Sequence, residues 1–364
     1  MPARRSTVRP SFSLVAALAL AGALPLLWPA ASARAAGGTE RRTLAGDEVA
    51  IHNLAGRLTV EPGSGPSVVV EIATNGKDAG RLRIEDGPID GRPTLRVIYP
   101  GDRIHVPGMS PFSSTTLRVR DDGTIGGERR EGRRVTLSGA GGGLEASADL
   151  VVRVPKGKKV SITWGRGNGD VRGVDGDLAL DAASMDVEAR DARGSFRVEV
   201  GSGAVRLTGM AGEASIETGS GDVTVRDARG EGLKVETGSG RIEVAGVDAD
   251  RLRLSTGSGD LRAASVRAPH AALESGSGSV EVRLDADVDD LSLETGSGDV
   301  TVSVPDAFGA AVHFETGSGD IDSDVPITIG SRSRHEIDGV IGDGNGRFQV
   351  ETGSGHITIQ RDRG

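Results

Sequence analysis

The residues of this chain that could do chemistry are carboxylates that recur at a regular spacing. One set stands two residues before a repeated Gly-Ser-Gly triplet, and it comprises Glu199, Glu217, Glu236, Glu274, Glu294, Glu315 and Glu351, with Ser255 in one copy. A second position directly follows the triplet and reads Ala204, Asp222, Arg241, Asp260, Ser279, Asp299, Asp320 and His356. Calcium binding, catalysis and a solvated charged face are three interpretations of these columns.

The spacing differs from that of the known calcium-binding repeat. That repeat is the nonapeptide G-G-x-G-x-D-x-U-x, whereas here the period is about nineteen residues and Asp directly follows the second Gly of the triplet. Outward-facing acids on strands are usually solvated. We therefore predict no metal site and no cofactor, with a looser cation site on the Glu column as the alternative.

A β-helix carbohydrate-active enzyme, a polysaccharide lyase or hydrolase, is the enzymatic alternative. Such an enzyme needs an elaborated cleft with singular residues, whereas the corners between these repeats are short and uniform. The chain contains no H-E-x-x-H, G-x-S-x-G or G-x-x-x-x-G-K-[ST] motif. We predict that it has no catalytic residues and is not an enzyme.

Short strands on either side of each triplet must position these carboxylates. The triplets are spaced by 18, 19, 19, 19, 20, 21 and 36 residues and begin at Gly201, Gly219, Gly238, Gly257, Gly276, Gly296, Gly317 and Gly353. The last interval suggests two periods with one triplet lost. Alternation puts Leu233 and Val235 on one face of a strand and Lys234 and Glu236 on the other.

Stacking of these units would complete a fold that one unit cannot form alone. Copies placed about 4.8 Å apart pair each strand with its equivalents above and below. The sequence therefore predicts an all-β fold, a parallel β-solenoid (β-helix) of about nineteen-residue coils in which consecutive copies lie directly over each other. The triplet glycines are expected at corners that need φ > 0. An inward column of hydroxyls is expected to form hydrogen bonds along the stack, and it comprises Thr218, Thr237, Thr256, Ser275, Thr295, Thr316 and Thr352.

The start of the chain predicts export. Residues 1–33 have the basic start, the apolar run and the small-residue Ala31-Ser32-Ala33 site of a secretory signal peptide. We expect a strand-rich N-terminal β lobe at 40–155 with an inserted loop at 101–148, and solenoid repeats at 156–364. The predicted location is periplasmic, cell-surface or extracellular, with no transmembrane segment in the mature chain.

The composition narrows the range of partners. Removal of residues 1–33 takes away three Arg and changes the formal net charge from -9 to -12. So acidic a chain is a poor partner for nucleic acid. Aromatic residues make up only 2% of the sequence, which argues against strong stacking on sugars.

The repeated E-T-G-S-G-D-V pattern is also similar to that of a known family. Together with the Val154-Pro155-Lys156-Gly157 strand end and the closing runs at 337–344 and 350–357, it resembles bacterial adhesin-like β-strand-repeat proteins with a domain of unknown function. The resemblance covers roughly residues 40–360 and implies no catalytic or ligand residues. His356 stands where that pattern usually has Asp.

These observations together predict a non-enzymatic, exported β-solenoid of an adhesin-like or envelope-associated kind. Its polar repeat faces would meet an envelope, glycan or protein partner. The alternatives are the β-helix carbohydrate-active enzyme and a purely structural envelope spacer.

Overall fold

Strands dominate the part of the chain that the computed structural model describes, residues 39–107, 110, 112–126 and 131–362. The predicted signal peptide, residues 1–33, lies outside it. The first strands are β1 (Thr39–Leu44), β2 (Glu48–Pro62), β3 (Val68–Asn75), β4 (Arg83–Ile89), β5 (Arg92–Ile98), β6 (Arg103–His105), β7 (Ser114–Val119), β8 (Arg133–Ser138) and β9 (Ser147–Val154).

The strands that follow carry the repeats. They are β10 (Lys158–Arg172), β11 (Gly176–Arg190), β12 (Arg193–Ser202), β13 (Val205–Ser220), β14 (Val223–Ser239), β15 (Ile242–Ser258), β16 (Leu261–Arg267), β17 (His270–Ser275), β18 (Val280–Leu284), β19 (Asp290–Thr295), β20 (Val300–Val304), β21 (Ala310–Thr316), β22 (Ile321–Ser323), β23 (Thr328–Arg332), β24 (Glu336–Ile341), β25 (Gly346–Thr352) and β26 (Ile357–Arg361). Within the described residues no helix could cross a membrane.

Copies of the repeat between residues 158 and 304 pair in parallel and in chain order. Lys158 lies opposite Gly176, Val223 opposite Ile242, and His270 opposite Asp290, so the offset between copies grows from 18 to 19 to 20 residues. The predicted all-β fold with parallel stacking of strands is confirmed. We call this column of paired copies the stack.

The interior of the stack is built from small, mostly β-branched side chains. Val223, Val225, Leu233 and Val235 are each at most 2% exposed, while Lys234 between the last two is only partly covered. Because each strand buries alternate residues, burial is repeated copy after copy, and a fully buried Val or Leu contributes about 1.5–3 kcal/mol. The face assignment made from the sequence is confirmed.

The buried hydroxyl column connects successive copies. Thr237 Oγ1 donates to Gly221 O at 3.3 Å, Thr256 Oγ1 to Gly240 O at 3.1 Å, and Ser275 Oγ to Gly259 O at 3.0 Å. Each acceptor is the second glycine of the preceding triplet. The predicted hydrogen bonding along the stack is therefore present, but it runs from hydroxyl to backbone carbonyl.

Close approach of neighbouring copies explains the first glycine of each triplet. A Cβ built on Gly238 would lie 2.5 Å from Gly219 O, and one on Gly257 would lie 2.5 Å from Gly238 O. Neither residue has a positive φ. The expectation that these glycines serve a left-handed corner is wrong for this position, because the carbonyl of the adjacent copy occupies the space of a side chain.

The second glycine of the triplet does serve such a corner. Its φ is 136° at Gly203, 147° at Gly221, 152° at Gly240 and 158° at Gly259, so the expectation is confirmed for these copies.

A further left-handed position lies elsewhere in the repeat. Asp191 and Asp227 have φ of 55°, and Ser265 has φ of 54°. Gly209 and Gly246 occupy the same position in the intervening copies, also at positive φ. Gly, Asp and Ser are small or can form local hydrogen bonds, which suits this conformation.

The C-terminal end of the stack departs from chain order. β25 pairs in parallel with β19 on one side and with β21 on the other, and β26 lies in the same way between β20 and β22. The last copy is therefore inserted between the two copies that precede it in the chain. The expectation that consecutive copies always lie directly over each other is wrong here.

The 36-residue interval before the last triplet has a related explanation. Instead of a copy that lost its triplet, the intervening segment contains β23 and β24, which pair antiparallel with each other, and β24 also pairs antiparallel with β21. This hairpin satisfies the backbone groups of β21, which would otherwise form an open sheet edge. After the hairpin the chain returns to the stack, where β25 pairs between β19 and β21.

The N-terminal end has a similar arrangement. β2 lies between β10 on one side and β5 and β9 on the other, all in parallel. Beyond them β4 pairs antiparallel with β5, and β3 pairs antiparallel with both β9 and β1. Antiparallel strands therefore pair with the outer parallel strands at both ends of the stack. The first copy in the chain, with β2, and the last, with β25, each lie one strand further inside.

The segment predicted as an inserted loop contains a small sheet of its own, in the order β6–β8–β7. Its side chains Ile104, Val135 and Leu137 are fully buried. The backbone N–H of Ile125 donates to Nδ1 of His52 at 3.4 Å, which links this segment to β2. Burial, followed by the positive charge of Arg92, lowers the pKa of His52 to about 4.

The glycine contacts predict a large difference between two glycines of β14. Gly238→Ala should lower the free energy of unfolding by about 1–3 kcal/mol, because the new methyl group collides with Gly219 O. Gly232→Ala is the matched control, since its Cβ would lie 3.7 Å from the nearest atom. Urea unfolding followed by circular dichroism measures both, and equal losses would contradict the close-approach explanation.

The inserted last copy can be tested with cysteine pairs, since the chain has no Cys of its own. Glu294→Cys with Glu351→Cys should form a disulfide, because these residues are register partners and neighbouring strands lie about 4.8 Å apart. Glu294→Cys with Glu315→Cys is the control, two strands apart at roughly 9.6 Å. Preferential oxidation of the control pair would support stacking in chain order instead.

His52 predicts an acid-dependent loss of stability. Its pKa of about 4 in the folded chain is below the ordinary value of 6.5, so unfolding takes up a proton. The contribution of neutral His52 to the free energy of unfolding is complete above pH 6.5 and is lost as the pH falls toward 4. Its upper limit is about 3 kcal/mol. His52→Gln should flatten the stability curve in this window, whereas exposed His270→Gln should leave it unchanged.

Candidate functional site

A continuous row of carboxylates crosses one outward face of the stack, and we call it the acidic ladder. In the order of neighbouring strands its members are Asp181, Glu199, Glu217, Glu236, Glu274, Glu294, Glu351, Glu315 and Glu336, with Ser255 between Glu236 and Glu274. Successive members belong to strands about 4.8 Å apart. The structure thus gathers all the predicted Glu column on one face.

The structure adds a residue at each end of that column and changes its order. Asp181 pairs with Glu199 but has no Gly-Ser-Gly triplet after it, so only the 18-residue offset could have indicated it. Glu336 pairs with Glu315 through an antiparallel strand, which the repeat pattern does not reveal. Glu351 lies between Glu294 and Glu315 because the last copy is inserted.

Basic side chains neutralise the first section of the ladder. Lys234 Nζ lies 2.9 Å from Glu217 Oε1 and 3.0 Å from Glu236 Oε2. Arg253 lies 3.7 Å from Glu274 and 3.8 Å from Glu236. The sequence analysis expected only solvent or a cation to offset these charges, but Lys and Arg two residues earlier on the same face contribute here.

The second section of the ladder has no such partners. Among the described residues, no Lys or Arg nitrogen lies within 4.0 Å of a carboxylate oxygen of Glu294, Glu351, Glu315 or Glu336. We call these four residues the open section. Like charges on adjacent strands repel each other, so this section is the part of the ladder where a positive charge from outside would be most stabilising.

An open groove of about 590 Å³ runs along the start of the ladder. Asp181, Glu199, Glu217 and Glu236 contribute to its lining. Although Asp181 is exposed on its strand, partial desolvation in the groove raises the pKa of its carboxyl, and the negative charge of Glu199 raises it further. The groove therefore holds one carboxyl that is more readily protonated than an ordinary aspartate.

The second predicted column, which follows the triplets, has a structural role. Asp222 Oδ1 accepts a hydrogen bond from Arg241 N at 2.9 Å, and Asp260 Oδ1 accepts one from Ser279 N at 3.1 Å. Asp299 Oδ1 accepts one from His356 N at 2.9 Å. These carboxylates satisfy backbone groups of the next copy in the stack, a role that their position in the sequence did not reveal.

Comparison with known proteins gives a match to a family model and matches to solved structures, among them the two that follow. The model described as Toastrack DUF4097 matches residues 124–360. A "putative cell adhesion protein" from Clostridium sporogenes is 10% identical, with a TM-score of 0.18 over 90% of this chain and 100% of that one. A "putative lipid binding protein" from Parabacteroides distasonis is 13% identical, with a TM-score of 0.38 over 90% of this chain and 98% of that one. No curated protein matches this chain.

Proposed function

This chain belongs to the Toastrack DUF4097 family, and we propose that it is a non-enzymatic binding protein whose acidic ladder docks a positively charged partner. The observation that carries the proposal is the continuity of the ladder across neighbouring strands. It ends in a section where, among the described residues, no Lys or Arg nitrogen lies within 4.0 Å of a carboxylate oxygen. Complementary charge steers association and selects partners.

The open section is the proposed contact surface. Glu294 and Glu351 are direct register partners, and Glu351 is also the partner of Glu315. Rigid β-pairing holds the three carboxylates in a row, so little conformational entropy is lost when a cationic group binds between them. Lys or Arg side chains of a protein, or amines of an envelope polymer, have the required chemistry.

Export and the finer architecture belong to the same proposal. Removal of residues 1–33 as a signal peptide would give a periplasmic, cell-surface or extracellular protein. Residues 40–155 would form its N-terminal lobe, with the insertion at 101–148, and residues 156–364 would form a parallel β-solenoid of about nineteen-residue coils. An adhesin-like role is supported by the family resemblance and by the regular charged face.

One observation favours the enzymatic alternative. The groove places Asp181, whose pKa is raised, on the strand next to that of Glu199. Most glycoside hydrolases use a pair of carboxyl groups, one of which acts as an acid with a raised pKa. Cleavage of an acidic polysaccharide that Asp181→Asn abolishes would establish this activity in place of the binding role.

The binding proposal predicts a specific effect of two ladder residues. Glu294→Gln with Glu351→Gln should weaken binding of a fluorescent lysine-rich peptide by about fivefold at low salt, because each exposed ion pair contributes about 0.2–1 kcal/mol. Fluorescence anisotropy measures the affinity. Added salt should reduce the difference, because it screens exposed charges.

The matched control removes the same charge from another outward position. The control variant combines Glu243→Gln with Glu281→Gln. Both residues lie outside the ladder, in the strand segments that directly follow a triplet. This control should retain nearly all of the affinity. Equal losses of affinity in both double variants would indicate attraction by net charge alone and would contradict a specific ladder surface. Undetectable binding of the peptide to the unchanged protein would contradict the proposal as well.

A further inference from the structure

A mixed cluster of histidine and carboxylate side chains lies where the stack meets its C-terminal hairpin. His313 on β21 is the register partner of Asp338 on β24, and Glu315 is the partner of Glu336. One ligand atom from each of His313, Glu336 and Asp338 lies within 4.8 Å of the other two. We call these three residues the hairpin cluster.

Hydrogen bonds already orient two members of the hairpin cluster. His313 Nδ1 lies 2.7 Å from Asp338 Oδ1, and Ser331 Oγ donates to Asp338 Oδ2 at 2.6 Å. Glu315 Oε2 lies 3.8 Å from the other ring nitrogen, Nε2. The imidazole is thus flanked by carboxylates on both sides, and Ser331 holds one of them in place from β23.

Within the described part of the chain this cluster occurs once, and it is not part of the repeat. At the position of His313 the neighbouring copies carry Gln349 and then Ser292. Asp338 and Glu336 belong to the antiparallel hairpin, which has no counterpart in the parallel copies. A singular arrangement on a repetitive scaffold is where a specific site is expected, since repeated positions serve the scaffold itself.

The charge of the cluster favours a cation. Glu315, Glu336 and Asp338 surround one imidazole, and no Lys or Arg nitrogen in the described part of the chain lies within 4.0 Å of these carboxylates. A divalent ion would offset the repulsion among these three carboxylates.

We propose that His313, Glu336 and Asp338 bind a divalent transition-metal ion of the Zn²⁺ type, with water completing the coordination. One imidazole nitrogen with two carboxylate oxygens suits Zn²⁺ better than Ca²⁺ or Mg²⁺, which prefer oxygen ligands alone. Ligand atoms around Zn²⁺ lie roughly 3.3 Å apart, so side chains that are now within 4.8 Å must move by about an ångström.

The metal would hold the hairpin to the stack. His313 belongs to the outermost parallel copy, whereas Glu336 and Asp338 belong to the hairpin that covers it. Coordination would therefore link two strands that are otherwise joined by their backbone ladder. The site shares Glu336 with the open section. Glu294 and Glu351, the two residues changed in the peptide-binding test, contribute no ligand to it, so the two proposals can be tested separately.

Titration of the full metal-free chain with ZnCl₂, followed by calorimetry, tests this site. We expect one Zn²⁺ per chain, and at least tenfold weaker binding in His313→Gln and in Glu336→Gln. His356→Gln is the matched control, because among the described residues one carboxylate, that of Asp320 at 3.9 Å, lies within 4.0 Å of the His356 imidazole nitrogens. This control should bind Zn²⁺ like the unchanged chain, and so should Glu294→Gln with Glu351→Gln.

Hydrogen exchange gives a second readout that does not depend on calorimetry. Zn²⁺ should slow amide exchange in β23 and β24 of the unchanged chain and leave exchange in His313→Gln unaltered. Absence of binding at millimolar Zn²⁺, or equal binding by the unchanged chain and both cluster variants, would overturn the proposal. Loss of peptide binding with retained Zn²⁺ binding would contradict only the ladder proposal.

Discussion

The structure depends on close contact between equivalent residues of neighbouring copies. A buried hydroxyl of one copy donates to a glycine carbonyl of the preceding copy, as Thr256 does to Gly240 at 3.1 Å. A Cβ on Gly257 would lie 2.5 Å from Gly238 O. Both contacts require the same register, because a slip by one residue would bury charged side chains and leave the hydroxyls unsatisfied.

Strict register has a consequence for the outer face. Side chains that recur at one outward position of the repeat form a row along the stack, spaced by the distance between neighbouring strands. In this chain the recurring residue is Glu. Lys234 and Arg253 offset the repulsion in the first section of the row. The open section has no such neighbours among the described residues, and the ladder therefore changes from a neutralised face to a strongly negative one along the stack.

The ends of the stack pose a separate problem, since a parallel stack has two open edges. Antiparallel strands cover both of them: β23 and β24 beyond β21, and β1, β3 and β4 beyond β5 and β9. Strands that reverse direction also bring residues together that no repeat pattern aligns. The hairpin cluster of His313, Glu336 and Asp338 arises in this way, so the covering of an edge also creates a group of side chains that the repeat does not contain.

Features that depend on the local period could be predicted from the residues alone: the all-β class, the buried faces with Leu233 and Val235, the hydroxyl column and the outward Glu column. Each follows from alternation and from an offset near nineteen residues, and both are visible in one copy and its neighbour. The place of β25 between β19 and β21, the pairing of Glu336 with Glu315, and the backbone-capping role of Asp222 and Asp299 became visible in the folded chain. These features depend on which sheet edges need partners for their backbone groups and on which strands reverse direction. A repeating pattern has the same local signal whatever the order in which its copies are stacked, so it does not reveal them.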